Sequence, residues 1–462
     1  MKKILFFILS ISSVFAKEFR SNHSYQALGF SQLPQVKFGG YIDSMIVGNT
    51  QDAIYGVLKA KGLENKHAST IESGHPDFAL DSMLNVTVNG INDFGMQYGA
   101  VIDLNANTTK AAFGESVDAK DAYIFTQSVY GKVEFGAVKG ASSKLKVDAG
   151  NLIRSENGGI KGRYLQFINL PITDGARYIL IPQHPTGHGG TAVNYNCDFI
   201  TLKKCGYMFL NKYENLYDEH NIYNPNNYED VLDFNGMENA LKISFYGPEI
   251  NGVQLGISYT PDTGNRGAGS RKSTNLDKND IENVVEIGGA YTDTWKGIGF
   301  SLSVTGQYGK SQNKICITNT EGSVDCESNL NDLISIQYGG IVSFFGLSFA
   351  ASIGDWGASL QEKGSGKRGS YTTIGFGYEF GPLTIAGTMF TSKYDGKYRI
   401  PNNTWENGSF KYTAQSINFE YKISKSFFPY LEITQFAFDV PAGDASKTNA
   451  GIVGMFGFVL NF

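Results

Sequence analysis

The sequence predicts an all-β fold, a transmembrane antiparallel up-and-down β-barrel of about sixteen strands. The first observation is a period of two, because apolar and polar residues alternate in about sixteen segments between positions 36 and 462. The second is that connections alternate, short then long, along almost the whole chain. The third is the charge-free segment 334–354, which keeps this alternation on both sides of a Phe345-Gly346 break. A hairpin fits that pattern, whereas a helix would carry several serines into lipid.

These segments are assigned as strands in chain order. Their number is even and both chain ends fall on the side of the tight turns, so the last strand can pair with the first. Closure is required because an open sheet edge cannot be hydrated inside lipid. A barrel of this width holds an aqueous channel, whereas eight strands would be filled by side chains. The expected strands are Val36–Val47, Phe78–Val88, Met96–Leu104, Ala119–Gln127, Lys132–Val138, Ala240–Tyr246, Val253–Thr260, Val284–Thr292, Ile298–Tyr308, Ile334–Phe344, Leu347–Asp355, Tyr371–Glu379, Leu383–Ser392, Ser416–Ile423, Tyr430–Phe438 and Gly451–Phe462.

The two ends of the chain carry export and assembly patterns. Residues 1–16 combine two lysines, an apolar stretch and a cleavage pattern ending at Ala16, which predicts a secretory signal peptide. The apolar stretch is shorter than the roughly 20 residues that a spanning helix needs. Residues 17–462 are therefore expected to form a single outer-membrane barrel. The final strand resembles the terminal strand recognised by the outer-membrane assembly machinery, with one face that includes Phe458, Leu460 and Phe462.

The composition fits one large β structure and argues against nucleic acid as a partner. The chain of 462 residues has 55 Gly, 32 Phe and 26 Tyr against only 12 Pro. Its formal net charge is −5, with both signs scattered along the chain. A barrel needs few continuous apolar runs, because only every second residue of a strand meets lipid.

One connection is much longer than the others. Residues 139–239 separate the fifth strand from the sixth and carry no convincing strand repeat. A structureless segment of this length is unusual inside a compact protein. Folded inward, it would narrow a lumen that is otherwise too wide to discriminate between solutes.

Several segments resemble the general bacterial porins of Gram-negative outer membranes. Lys120–Tyr123 with Gly131–Gly136 is similar to the paired fourth and fifth strands of that family. Leu241–Pro248 with Gly252–Pro261 resembles the next hairpin. The rest of the chain agrees in layout. The closing pieces that also match are Phe428–Glu432 and Phe462.

The resemblance implies a sixteen-stranded barrel, usually a homotrimer, whose third external loop folds into the pore. The connection 139–239 falls where that loop belongs, although it is longer than the family norm. In the family, basic side chains on the wall oppose acidic ones on the loop, and together they form a charged constriction. Lys120 and Lys242 lie where the family has wall arginines. The candidates for the opposing side are Asp148 and Glu156, with Arg154 beside them.

Strand alternation assigns a face to each polar side chain of the strands. For Lys120, the assignment rests on Tyr123 and Phe125 pointing outward. Charge on the lumen face costs little, whereas a lysine at the middle of the lipid face costs about 2–4 kcal/mol. Two interpretations are open. The lumen charges set the ion preference of the pore through the local electric field, or they are ordinary hydrated charges without that role. The side chains expected inside are Lys37, Tyr41, Asp43, Lys120, Lys132, Glu134 and Lys242.

Four cysteines form two local pairs in predicted external loops, Cys197 with Cys205 and Cys316 with Cys326. In an exported chain this pattern predicts two short-range disulfides, although four cysteines permit three connectivities. Neither pair has CxxC spacing or a histidine nearby, which argues against a metal site. The tract from His184 to His188 contains Pro and Gly, so no helix aligns these histidines, and we interpret them as exposed loop residues.

The leading interpretation is a porin of a Gram-negative outer membrane, a passive diffusion channel for ions and small hydrophilic solutes, surrounded by lipid and working without a cofactor. A second interpretation is a surface adhesin or receptor barrel whose lumen is plugged by the long loop. A membrane-embedded enzyme is disfavoured, because the chain has no HExxH, no GxSxG and no phosphate-binding glycine loop.

Overall fold

The computed structural model describes the strands and part of the connections between them. The predicted signal segment 1–16 and residues Glu156, His184, His188 and Cys197 lie outside the described residues. Within the described part, no helix is long and apolar enough to cross a bilayer. The described residues are 34–52, 74, 76–105, 119–155, 158–168, 205–206, 222–223, 240–262, 281–311, 315–318, 324–327, 331–359, 369–399, 405–439 and 449–462.

Sixteen antiparallel strands form a closed barrel, which confirms the predicted fold class. Two short pairs of strands lie outside it, Cys205–Gly206 with Ile222–Tyr223 and Ile315–Thr318 with Val324–Glu327. The last strand closes on the first, with Asn461 opposite Tyr41 and Gly451 opposite Gln51. The strands in chain order are β1 (Gln35–Gln51), β2 (Asp77–Ile91), β3 (Gln97–Asn105), β4 (Ala119–Ser128), β5 (Gly131–Ala137), β6 (Cys205–Gly206), β7 (Ile222–Tyr223), β8 (Leu241–Tyr246), β9 (Val253–Asp262), β10 (Ile281–Trp295), β11 (Ile298–Ser311), β12 (Ile315–Thr318), β13 (Val324–Glu327), β14 (Leu333–Phe344), β15 (Leu347–Gly357), β16 (Gly369–Phe380), β17 (Leu383–Arg399), β18 (Trp405–Tyr421), β19 (Phe427–Asp439) and β20 (Asn449–Asn461).

Every second connection of the barrel is a tight turn, as the sequence predicts, and these turns lie at the same end as the chain terminus. We call this end the turn side and the opposite end the loop side. The turn between β14 and β15 is a two-residue hairpin with φ of 49° at Phe345 and 81° at Gly346. Two successive left-handed residues give the backbone twist that a hairpin of this length requires.

The two faces of the strands differ in polarity. In β9, the side chains of Leu255 and Ile257 are exposed on the outer face, whereas Gln254 and Ser258 are buried inside the barrel. The same alternation runs through β1, β8, β14 and β20. An apolar outer face and a polar inner face are what a bilayer around a barrel requires.

One face assignment made from the sequence is wrong. Ile124 is 59% exposed on the outer face of β4, so Tyr123 and Phe125, which were expected outward, lie on the inner face. The Nζ of Lys132 lies 5.8 Å from the ring centroid of Tyr123 and 4.9 Å from that of Phe125. β4 carries apolar residues on both faces, so alternation alone does not distinguish them.

The register between β3 and β4 shifts close to this site. Asp103 is opposite Asp121, but Leu104 is opposite Ala119, so Lys120 lies at the irregularity. Such a bulge changes the direction in which the side chains of one strand point. The argument that placed Lys120 in the lumen therefore fails, because it rested on Tyr123 and Phe125 pointing outward.

The connection after β5 is described in residues 138–155 and 158–168, and beyond them only in the short strands β6 and β7. The carboxylate of Asp148 accepts a hydrogen bond from the N–H of Gly150 at 2.7 Å, and the side chain of Asn151 accepts one from the N–H of Asp148 at 2.7 Å. This reciprocal capping fixes the direction in which the chain turns. The connection forms a short helix α1 (Ala141–Lys144) and three 3₁₀ turns, Ala149–Leu152, Gly159–Lys161 and Arg163–Phe167.

A row of aromatic rings crosses the inner face of five adjacent strands. Neighbouring centroids are 5.2, 5.7, 5.8 and 4.5 Å apart along the row. All these rings are buried, and Phe436 links the row to Tyr164 of the connection. The members of this aromatic row are Trp356, Tyr371, Phe390, Tyr412 and Phe438.

Candidate constriction site

The connection after β5 lies against inward-pointing side chains of the barrel wall. The inner face of the strands supplies hydroxyl and carboxylate oxygens, and the connection supplies backbone N–H groups that lack partners of their own. Pairing them removes the cost of burying unsatisfied polar groups, about 1–3 kcal/mol each. The backbone anchors are Ala141 N–H to Ser258 Oγ at 2.8 Å, Val147 N–H to Ser303 Oγ at 2.8 Å, Ala149 N–H to Thr373 Oγ1 at 3.3 Å, Ser155 N–H to Glu420 Oε1 at 3.1 Å and Gly159 N–H to Glu432 Oε2 at 2.8 Å.

Glycines on the inner face allow this close approach. A Cβ at Gly339 of β14 would overlap the carbonyl oxygen of Val147. A Cβ at Gly288 of β10 would come within 2.6 Å of the carbonyl oxygen of Ala141. The wall is therefore shaped to receive the backbone of the connection directly.

The first charged contact joins β5 to helix α1. Glu134 is buried and forms ion pairs with Lys132, at 2.7 Å, and with Lys144. The Nζ of Lys144 also lies 5.3 Å from the ring centroids of Tyr123 and Tyr246. Burial lowers the pKa of the Lys144 ammonium below its ordinary value, although the Glu134 carboxylate acts in the opposite direction.

The second contact is a fully buried pair on β8 and β10. The Nζ of Lys242 lies 3.3 Å from Oε1 of Glu286, and neither side chain is exposed to solvent. The hydroxyl of Ser142 donates to Oε2 of Glu286 at 2.5 Å and accepts from Nε2 of Gln307 at 2.9 Å. The pair therefore belongs to a hydrogen-bonded network that includes the connection.

The third contact joins the connection to β1. Nη2 of Arg163 lies 2.7 Å from Oδ2 of Asp43, and it donates to Oγ of Ser155 at 2.7 Å. The hydroxyl of Tyr430 donates to Oδ1 of Asp43 at 3.0 Å, and the guanidinium carbon of Arg163 lies 5.1 Å from the Tyr430 ring centroid. Burial alone would lower the pKa of Arg163, but Tyr430, Asp43 and Glu432 raise it above its ordinary value. Arg163 is therefore a permanent cation.

A more exposed contact lies nearer the turn side. Nη2 of Arg154 donates to Oε1 of Glu379 at 2.7 Å, and the two side chains are 35% and 58% exposed. An exposed pair of this kind adds little stability. It does place one basic and one acidic group at the solvent boundary of the connection.

The sequence predicts a basic wall opposite an acidic loop, and the wall does carry Lys132 and Lys242, but the described ion pairs between connection and wall have the opposite sense. The described connection presents cations, and the wall presents the carboxylates that bind it. The only acidic candidate of the connection in the described part, Asp148, caps a 3₁₀ turn and forms an ion pair with Lys146 at 3.1 Å. The wall carboxylates come from six strands, β1, β5, β10, β16, β18 and β19, and are Asp43, Glu134, Glu286, Glu379, Glu420 and Glu432.

The predicted site residues are thus brought together only in part. Lys132, Glu134 and Lys242 lie at the contact between wall and connection, together with Arg154. Lys37 is exposed near the turn-side end of β1.

Several residues at this contact were missed from the sequence. Arg163 lies in a connection without a repeat, so no pattern identifies it. Glu286, Glu420 and Glu432 had a usable signal, since each is an acidic residue on the inward-pointing parity of its strand. Among the described residues, no group of three or more His, Cys, Asp or Glu is arranged to hold a metal ion.

Comparisons with known proteins agree with this architecture. A model of a family described as Gram-negative porin matches residues 24–439. An uncharacterized protein of Rickettsia bellii is 27% identical over 390 residues, covering 75% of this chain and 77% of that protein. One of Rickettsia conorii is 28% identical over 399 residues, covering 77% and 78%. The anion-selective porin of Comamonas acidovorans shares the fold, with a TM-score of 0.50 and 12% identity over 93% of this chain and 100% of that one.

Proposed function

Since the chain belongs to the Gram-negative porin family, we propose that it is a passive diffusion pore for ions and small hydrophilic solutes with a charged constriction. The family and the closed barrel of sixteen strands support an outer-membrane channel of a Gram-negative bacterium. Porins of this family are channels, and the proposed activity needs neither a catalytic group nor a cofactor.

We base the constriction on the path of residues 138–155 and 158–168. These residues form hydrogen bonds with inward-pointing side chains of β1, β9, β11, β16, β18 and β19, so we expect them to narrow the cross-section of the barrel. Fixed charges at a narrow point act on a permeating ion through a short distance and a low local dielectric. We propose that Lys132, Glu134, Lys144 and Arg154 set the ion preference there.

Single-channel recording of the purified full chain in a planar bilayer tests this function. Stepwise openings with an ohmic current, and a reversal potential in a salt gradient that moves when Arg154 is replaced by Met, are the expected result. The variant Lys296→Met is the matched control, because Lys296 is exposed in the turn between β10 and β11. Absence of current from a barrel whose electrophoretic mobility changes on heating, as that of a folded barrel does, would contradict the proposal.

A surface adhesin or receptor with a plugged lumen is the second candidate. The observation that favours it is the aromatic row, because a water-filled channel is expected to have a polar lining. Excision of residues 169–239, the part of the connection that follows Ile168, separates the two functions. A channel gains conductance when the segment is removed, whereas a receptor loses the partner that it binds.

We also propose the homotrimer that the resemblance implies, with lipid around the apolar outer face of the barrel.

The assembly signal at the C-terminus is a proposal of the same kind. Phe458 and Leu460 are exposed on the outer face, and Phe462 exchanges two backbone hydrogen bonds with Gly40 of β1, at 3.0 and 3.1 Å. A terminal strand that closes the barrel suits recognition by an assembly factor. Removal of Phe462 should reduce the amount of assembled barrel.

The disulfides remain proposals as well. Cys316 and Cys326 are directly opposite each other in the register of β12 and β13. Opposite residues of an antiparallel pair have Cα atoms about 4.5–5.5 Å apart, within the range that a disulfide spans. Intact mass before and after reduction tests both this pair and Cys197 with Cys205. Free thiols in the unreduced protein would contradict the pairing.

A further inference from the structure

A cavity of about 280 Å³ lies between the connection and the turn side of the wall. Its floor comes from β1, β19 and β20, its side from Arg154, Ser155 and Arg163, and its mouth from the turn between β18 and β19. We propose that this cavity is a binding site for a small organic carboxylate that enters from the turn side, which is the periplasmic side of an outer-membrane barrel.

The charge of the lining favours an anion. Four cationic side chains, Arg154, Arg163, Lys422 and Lys425, line the cavity, against the single carboxylate of Asp43. Asp43 and Arg163 form an ion pair, as do Glu379 and Arg154. The positive charge left for an anion is therefore that of Lys422 and Lys425.

Arg163 supplies donors that the protein itself does not use. Its side chain is 3% exposed, and only Nη2 is engaged by Asp43 and Ser155. Nε and Nη1 have no hydrogen-bond partner among the described residues. Buried N–H groups of a guanidinium are expensive to leave unsatisfied, and an oxyanion is their preferred acceptor.

The two lysines at the mouth are available for the same ligand. Lys422 and Lys425 are exposed in the turn between β18 and β19, and neither has an ion pair within the described ranges. They would attract an anion from solution and contact it at the entrance.

The remaining lining selects an organic anion rather than an inorganic one. Phe428 and Val459 present apolar surface, and Tyr41 presents an aromatic ring with its hydroxyl bonded to Asp81. A fully hydrated oxyanion would leave that surface uncovered. The volume lies near the lower end of the roughly 300–1,000 Å³ of ligand sites, so the ligand is small.

Isothermal titration calorimetry of the detergent-solubilised full chain tests the site. The probes are benzoate, acetate and inorganic phosphate, in a buffer without other carboxylates or phosphate. We expect saturable binding of benzoate, weaker binding of acetate, and the weakest binding of phosphate. Replacing both Lys422 and Lys425 by Met should weaken benzoate binding by about tenfold or more, since two charge-assisted contacts are lost. Lys296→Met should leave it unchanged.

A second variant isolates the buried donors. Arg163→Lys keeps a cation beside Asp43 but removes Nε and Nη1, so it should weaken benzoate binding while the barrel remains folded. Absence of saturable benzoate binding in the unmodified protein would overturn the proposal, as would an equal loss in Lys296→Met. Phosphate binding more tightly than benzoate would overturn the organic class of the ligand.

Binding of a carboxylate at this site does not depend on the proposed channel. Only an effect of the site on which solutes pass would rest on it. Calorimetry requires no current, so a protein that binds benzoate without conducting would contradict only the pore. A protein that conducts without binding benzoate would contradict only the site.

Discussion

Buried charges of the inner wall are held by specific partners, and removing one partner leaves the other exposed to a low dielectric. Lys242 and Glu286 illustrate this, because both are completely buried. Glu134 is satisfied by two ammonium groups, and Asp43 by a guanidinium and a phenol. In each contact, the attraction between the partners offsets the cost of burying their charges, and single substitutions test this.

Lys242→Met should destabilise the folded barrel by about 3–5 kcal/mol, because Glu286 would remain charged and buried without its cation. The measurement is the urea concentration at which half of the protein has changed from the electrophoretic mobility of the folded barrel to that of the unfolded chain. The double variant Lys242→Met/Glu286→Gln should recover much of that loss. Equal losses in the single and the double variant would contradict a paired role.

The lowered pKa of Lys144 gives the ion preference a pH dependence. A lysine whose pKa is lowered loses its charge at a pH below the ordinary value of about 10.4. As the pH rises, the positive charge near Glu134 disappears, so the reversal potential should move toward cation preference. Lys144→Arg should remove this shift, since a guanidinium stays charged. An identical pH profile in that variant would exclude Lys144 as the titrating group.

The connection after β5 and the wall that receives it form one unit at the scale of elements. The wall contributes oxygens and glycines, and the connection contributes N–H groups and cations. Neither half is complete alone: the backbone anchors join residues more than a hundred positions apart. The unit therefore depends on strands that lie far apart in the sequence.

Gly339→Val should push the connection away from β14, because its Cβ would occupy the space of the Val147 carbonyl. We expect a loss of about 1–3 kcal/mol, as for other overpacked sites, together with an altered single-channel conductance. Gly387→Val is the matched control, since a Cβ at Gly387 meets nothing within 4 Å. Unchanged conductance in Gly339→Val would argue against a constriction at this point.

The whole molecule is a closed barrel with an apolar outer belt, a polar turn-side lumen and an aromatic row nearer the loop side. Closure removes the sheet edges that lipid would not tolerate. Large apolar side chains are exposed on the outer face of the described strands, so this face must meet either lipid or another copy of the chain.

The proposed trimer predicts a particle of about three protomer masses when the protein is extracted in mild detergent, as measured by light scattering with the detergent contribution subtracted. Recordings from one inserted particle should show three equal conductance levels, because each barrel conducts separately. A single level together with one protomer mass would contradict the trimer.

The number of barrel strands, the closure and the placement of turns could be predicted from the sequence, because period-two alternation and connection length are local properties of the chain. The sequence also placed Glu134 and Lys242 on the inner face, because their neighbours Phe135 and Ile243 alternate cleanly. It failed for Tyr123, where both faces of β4 carry apolar residues.

Which charges meet could not be predicted from the sequence, because it depends on the closed barrel. Glu420 and Ser155 are 265 positions apart, and Gly159 and Glu432 are 273 apart, so no local pattern links them. The ion pairs between cations of the connection and carboxylates of the wall have the same origin. A buried carboxylate must be paired with whatever donor the closed barrel brings within reach, and that donor is set by the path of the chain rather than by its neighbours in sequence.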